Sequence, residues 1–216
     1  MKFPLQHTGS YYAASVNQTT AFAPLRGSQT TDICVIGAGF TGISTALHLA
    51  EHGYRVHVIE ANKVGWGASG RNGGQMISGI AGERAVAKHW GKDIEEIFSE
   101  LRWEGHKIIR QRVEKHNIQC DLKQGYLDVA IKPRHMRDIE YDVQRLSESN
   151  FPHEFRILDA AETAEHIGTD AYIGSLLNMG NGHLHPLNLC IGEALAAKDL
   201  GVEIYEQSPV LRVRQS

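Results

Sequence analysis

The 216-residue chain is 42% hydrophobic and 22% charged with a formal net charge of −3, ordinary figures for a globular protein. It carries no cationic excess or run of one sign to serve nucleic acid or an anionic membrane surface, and no stretch approaches the length of a membrane span. Three cysteines, Cys34, Cys120 and Cys190, are far apart and odd in number, so neither a disulfide framework nor a paired metal motif is expected, and the expected setting is a reducing cytoplasm.

Residues 1–30 read as an irregular polar arm holding Tyr11 and Tyr12. "TDICVIG", 31–37, is expected to be a buried strand with Cys34 as an inert buried thiol. In "FTGISTALHLAEHG", 40–53, Ile43, Ala46, Leu47 and Ala50 fall at i, i+3, i+4 and i+7, which predicts a helix ended by Gly53. "RVHVIE", 55–60, is a second strand, parallel to the first because the connection is a helical crossover.

The stretch 61–82 has seven glycines and predicts a loop. Ile94, Ile97, Phe98, Leu101, Ile108 and Val113 trace one face of a predicted helix over 93–117. "CDLKQGYLDVAIK" predicts two strands around Gly125. Pro133 opens a further helix, and Asp159 with Glu162 has capping-box spacing. Pro186 begins a helix with Leu187, Cys190, Ile191, Ala194 and Leu195 on one face, stopped by Gly201. "VEIYEQSPVLRV" predicts two last short strands.

The glycines Gly37, Gly39 and Gly42 carry chemistry because of what surrounds them. A strand precedes them, a helix follows, and an acid, Glu60, comes 18 residues after Gly42 at the end of the second strand. Gly37 permits the turn, Gly39 lets a pyrophosphate approach the backbone, and Gly42 lets the helix pack on the strand. The first N–H groups and the helix dipole then face the phosphates. Glu60 can accept both ribose hydroxyls and would repel a 2′-phosphate. FAD and NAD share that adenosine diphosphate, and the β-α-β unit alone does not separate them. The glycine-rich loop immediately after the second strand, with Ser69, Arg71, Asn72, Gly73, Gly74 and Gln75, suits the longer ligand, since backbone N–H groups can reach where side chains would collide.

"SYYAAS", "GFTGISTALHLAEHG", "GWGASGRNGGQ", "CDLKQGYLDVA" and "GNGHLHPLNLCIGEA" resemble, in this order, segments of FAD-dependent amine and amino-acid oxidases of the D-amino-acid-oxidase type. The resemblance covers nearly the whole chain. It implies an α/β fold: a Rossmann-like FAD-binding βαβ domain with part of an α+β substrate domain. The expected divisions are an arm over 1–30, the βαβ unit and glycine-rich loop over 31–82, a helical region and partial substrate domain over 83–185, and a return to the FAD domain over 186–216.

Residue by residue, the resemblance assigns Gly37, Gly39 and Gly42, with Phe40 and Thr41 between them, to the pyrophosphate loop. It assigns Glu60, with Ala61 beside it, to the ribose. Ser69, Arg71, Asn72, Gly73, Gly74 and Gln75 fall near the flavin side, and Val210 pairs its backbone with adenine. "GWGASG" lacks the histidine that attaches flavin in some members, so noncovalent FAD is implied. The implied reaction takes a small primary amine, with oxygen as acceptor, to an aldehyde, ammonia and hydrogen peroxide. Family members continue about as far again, so the chain is expected to be an N-terminal half that needs a C-terminal half or self-association. Another flavin oxidase or dehydrogenase, or an inactive nucleotide-binding remnant, are the alternatives.

His183 and His185 stand two apart, as two metal ligands could, yet no neighbouring cysteine or acid completes a site and no metal is expected. Ser69 lacks the GxSxG context of a nucleophile. No catalytic base is assigned.

Overall fold

In a computed structural model of the chain, residues 6–78, 82–148 and 151–215 are described. In chain order the elements are α1 (Tyr11–Ala14), β1 (Ile33–Ile36), α2 (Phe40–Glu51), β2 (Val56–Ile59), a 3-10 turn (Ala68–Gly70), β3 (Gln75–Met76), α3 (Glu83–Trp90), α4 (Lys92–Lys115), β4 (Lys123–Ala130), α5 (Pro133–Glu148), β5 (Phe155–Asp159), α6 (Ala160–Ile167), β6 (Gly174–His183), α7 (Pro186–Asp199) and β7 (Glu203–Tyr205). They form two compact units, residues 1–74, 109–121 and 184–216 in the first, 75–108 and 122–183 in the second. The predicted region 83–185 thus does not map onto one unit, because 109–121 belongs with the first.

Unit 1 is the mixed α/β part. Its sheet has the order β1-β2-β7, all parallel, with Val35 opposite Val58 and Val58 opposite Ile204. Ile43, Leu47, Val56, Val58, Leu187 and Ile191 are buried to 2% exposure or less and form the centre of its core; each contributes about 1.5–3 kcal/mol relative to exposure. The helical stripe read from the sequence is the buried face of α2, and Gly53, at φ +82, ends that helix in the left-handed conformation. α7 packs against α2. It is buried nearly all round, so its apolar residues follow no single stripe.

Unit 2 is built on β6. β4 pairs along one edge; β3 and β5 pair antiparallel with it at different places along the other. α5 covers Ala130, Leu176 and Phe155 through Ile139, Met136 and Val143. The capping box opens α6: Asp159 Oδ1 accepts the Glu162 N–H at 2.9 Å, and Glu162 Oε2 accepts the Asp159 N–H at 3.1 Å.

Several expectations are corrected. Cys34 is exposed and Ile36 is 59% exposed. β1 ends the three-stranded sheet, and α2 covers only one of its faces. The predicted apolar face of α4 is solvent-exposed along Ile97, Leu101 and Ile108. The side chains buried nearby are His106 and Arg112, on a stripe that apolar spacing could not reveal. The two strands predicted around Gly125 are one, β4, whose register shifts between Gln124 and Tyr126; Gly125, at φ +100, forms the bulge. Only the first of the two final strands is present, since residues 206–215 have no strand neighbour among the described residues, and Leu211 and Val213 are 91% and 75% exposed.

Candidate functional site

The glycine turn joins β1 to α2 inside unit 1. Gly37 takes φ +99 with open space where a side chain would be, and its N–H donates to Ile59 O at 2.8 Å, tying the turn to the end of β2. Gly39 is the N-cap residue of α2 and has no side chain to cap with. Ser69, from the glycine-rich loop, supplies that function: its Oγ accepts the Phe40 N–H at 2.9 Å. Thr41 is exposed on the first turn, and the N–H groups of that turn have no acceptor within the helix.

Glu60 lies where the spacing predicts. Its Oε2 accepts the Ala38 N–H and its Oε1 accepts the Asn62 N–H, both at 2.8 Å. One carboxylate therefore bridges the glycine turn and the segment leaving β2. Each oxygen keeps a second lone pair, enough to accept two vicinal hydroxyls. Ala61 follows, half-buried.

The loop after the 3-10 turn is held by its own side chains. Asn72 Oδ1 accepts the Gly74 N–H at 2.8 Å, and its Nδ2 donates to Ser69 O at 2.9 Å. Arg71 donates from Nε to Gly67 O at 3.1 Å and lies 5.3 Å over the Trp66 ring. Gly73 is exposed and Gly74 buried. A side chain at Gly74 would overlap Leu184 O. Gln75 opens β3 and belongs to unit 2, opposite His183. Val210 lies beyond the last strand and is 40% exposed.

His183 and His185 serve different elements, and no group of three metal-ligating side chains occurs among the described residues. His183 ends β6, whereas His185 caps α7: its Nδ1 accepts the Asn188 N–H at 3.1 Å. The ring proton must then sit on Nε2, which donates to Ser15 Oγ at 3.2 Å. Burial pushes the His185 pKa below the usual imidazole range, in keeping with a neutral ring.

Sequence reasoning missed the part played by the arm and by Glu206. Asn17 N–H donates to Asn188 Oδ1 at 3.1 Å, Leu25 N–H to Ser208 Oγ at 2.8 Å, and Thr20 Oγ1 to Glu206 Oε1 at 2.6 Å. No local pattern marks such contacts; only their polar residues in a nominal loop hinted at anchoring.

A parallel sheet with a glycine turn into a helix and an acid at the tip of the neighbouring strand defines a dinucleotide-binding fold. The turn's open space at Gly37, the N-terminal end of α2 beside it and the fixed Glu60 carboxylate suit a pyrophosphate and ribose. The chain belongs to the FAD-dependent oxidoreductase family, whose sequence profile matches residues 32–216; FAD is that family's cofactor. It is 45% identical over 208 residues to a probable oxidoreductase, OrdL, of Haemophilus influenzae, covering 95% of this chain and 48% of the relative. To the gamma-glutamylputrescine oxidoreductase of Escherichia coli it is 40% identical over 212 residues, covering 98% of this chain and 50% of that protein. The chain thus spans about half the length of these curated relatives. An L-amino acid deaminase from Proteus myxofaciens shares the fold with a TM-score of 0.73 at 23% identity, over 88% of this chain and 41% of that one.

Proposed function

We propose that this chain is the FAD-holding N-terminal part of a flavin amine oxidase, acting on the primary amine of a small substrate such as gamma-glutamylputrescine and yielding an aldehyde, ammonia and hydrogen peroxide. The observation that carries this reading is the 40% identity with the gamma-glutamylputrescine oxidoreductase across 98% of the chain. A second reading, a flavin oxidase or dehydrogenase of another amine or amino acid, draws on the 45% identity with OrdL, whose name states no substrate.

In the proposed site, the turn of Gly37, Gly39, Phe40, Thr41 and Gly42 brings the N-terminal end of α2 and its dipole to the phosphates. Glu60, with Ala61 beside it, accepts the ribose hydroxyls. Ser69, Arg71, Asn72, Gly73, Gly74 and Gln75 serve the flavin side, and the Val210 backbone pairs with adenine. FAD is held noncovalently and, when bound, supplies the acceptor for a hydride from the carbon beside the amine. The chain's own task is to orient that cofactor and keep water from it.

Two results test this reading. Glu60→Ala in the flavin-loaded enzyme is expected to weaken FAD by about 1.5–3 kcal/mol, the range for hydrogen bonds to a charged group. Turnover per bound flavin should be unchanged, because the ribose is remote from the reacting atoms. Full flavin retention through dilution and dialysis would remove the assignment. Separately, residues 1–216 alone are expected to give no steady gamma-glutamylputrescine-dependent peroxide. Addition of the second half, or self-association, should be needed. Steady turnover by a monodisperse monomer would contradict this.

A further inference from the structure

We propose that Glu206 is a positioning residue for the adenosine side of the FAD site, a buried carboxylate that fixes the segment carrying Glu60 by clamping it to the N-terminal arm. The proposal rests on the assignment of Glu60 to the ribose.

Glu206 is fully buried, at 0% exposure. A carboxylate taken out of water needs charge and hydrogen bonds to compensate, and three groups supply them. Oε1 accepts the Thr20 hydroxyl at 2.6 Å and the Val64 N–H at 2.9 Å. Oε2 accepts Lys63 Nζ at 2.8 Å. Lys63 also donates to Thr20 O at 3.1 Å, so Thr20, Lys63 and Glu206 close a ring. Two of the partners, Lys63 and Val64, lie on the loop that begins at Glu60. The third lies on the arm.

The backbone around Glu206 holds Glu60 itself. The Glu60 N–H donates to Tyr205 O and its carbonyl accepts the Ser208 N–H, each at 2.8 Å. Between those bonds the chain bends at Gln207, a non-glycine residue at φ +53. Such a conformation persists only where the surroundings over-determine it. Here the Gln207 N–H and side-chain Nε2 both donate to Asn62 O at 3.0 Å. Residues 205–208 thus grip residues 60–64 from both sides: backbone to Glu60 and Asn62, carboxylate to Lys63 and Val64. The Glu60 carboxylate, held by the Ala38 and Asn62 N–H groups, inherits its position from that grip. Glu206 acts through Glu60 and touches no ligand in this assignment.

The test compares two buried carboxylates of the same unit. Glu193, 3% exposed, pairs with Arg112 and lies on α7. In the full chain, Glu206→Gln, Thr20→Val and Glu193→Gln are titrated with ADP and with FAD, and their melting temperatures are measured without ligand. Glu206→Gln is expected to raise the Kd for both nucleotides about tenfold or more, the scale of a lost charge-assisted hydrogen bond. Thr20→Val should raise both by a smaller factor. Glu193→Gln should lower the melting temperature with both Kd values unchanged. Equal loosening by Glu206→Gln and Glu193→Gln in proportion to their melting-temperature losses would reduce Glu206 to a structural role and overturn the proposal. Unchanged affinity in Glu206→Gln would do the same. Glu60→Ala is run alongside. If it weakens ADP and Glu206→Gln does not, the positioning role alone fails. If Glu60→Ala has no effect, the ribose assignment fails, and this proposal with it.

Discussion

Gly42→Ala is expected to destabilise unit 1 by about 3 kcal/mol or more, at the upper end of overpacking effects. A β-carbon there would overlap the Gly37 carbonyl oxygen and stand 3.0 Å from its carbon and 3.3 Å from Val35 Cγ1. Two of these three atoms are backbone, and the Gly37 N–H is itself bonded to Ile59 O at 2.8 Å. No rotamer change relieves the overlap, so α2 must lift away from β1. That movement would separate the Ala38 N–H from Glu60 Oε2, now at 2.8 Å. Stability and nucleotide affinity should therefore fall together, as seen by denaturant unfolding and ADP titration. Gly105→Ala is the contrast: it lies in α4, where an added β-carbon would meet nothing within 4 Å, and should gain up to about 1 kcal/mol from helix propensity. A Gly42→Ala protein as stable as the parent would mean that the helix does not need this close approach.

Arg112→Met is expected to cost about 3–5 kcal/mol at pH 8, the range for breaking a buried pair by removing one partner. Arg112 Nη1 lies 3.2 Å from Glu193 Oε1 and donates to Ser44 Oγ at 2.6 Å, joining α4, α7 and α2. Both charged residues are buried, at 8% and 3% exposure. Burial pushes the Glu193 carboxyl above the ordinary carboxylate range, with Arg112 pulling the other way. In the variant only the push remains. An acid whose folded pKa lies above its unfolded value holds its proton more tightly when folded. Its contribution is intact below the unfolded value, 4.5, and is lost as pH rises through the folded one. The deficit of Arg112→Met should accordingly shrink between pH 8 and pH 5. Adding Glu193→Leu should recover most of it, because no charge is then left unpaired. Equal deficits at both pH values would rule out Glu193 as the group responsible.

How much could be read from the residues depended on whether the determinants were local. The β-α-β unit was legible because Ile43, Ala46 and Leu47 form a helical stripe and Gly37 and Glu60 mark its two ends. Asp159 and Glu162 announced a helix start for the same reason: a capping box is complete within four residues. β6 was not legible as the centre of a sheet. Gly174, Gly180 and Gly182 and the asparagines Asn178 and Asn181 are poor strand formers, and the glycines are required by neighbours distant in sequence. A β-carbon at Gly182 would overlap Lys123 O, and one at Gly180 would overlap the Phe151 ring. Cys34 and Ile36 misled in the opposite direction, since apolar composition cannot tell a central strand from one at the end of a sheet. In the candidate site, Glu60 was visible from its spacing. Glu206 was not, because each of its side-chain partners lies more than 140 positions away.

The arm and β7 also set an order of events for a chain emerging from the ribosome. β1, α2 and β2 are complete by residue 59, yet the strand that flanks β2 spans residues 203–205, and the Thr20–Glu206 bond closes a separation of 186 positions. Unit 2 has all its strands by residue 183, so it can close while unit 1 still waits for its third. Contacts this distant form late because the loop entropy falls due before they repay it. Until residue 206 has been added, the glycine turn stands without the clamp proposed for Glu60, and in that proposal nucleotide capture waits for it.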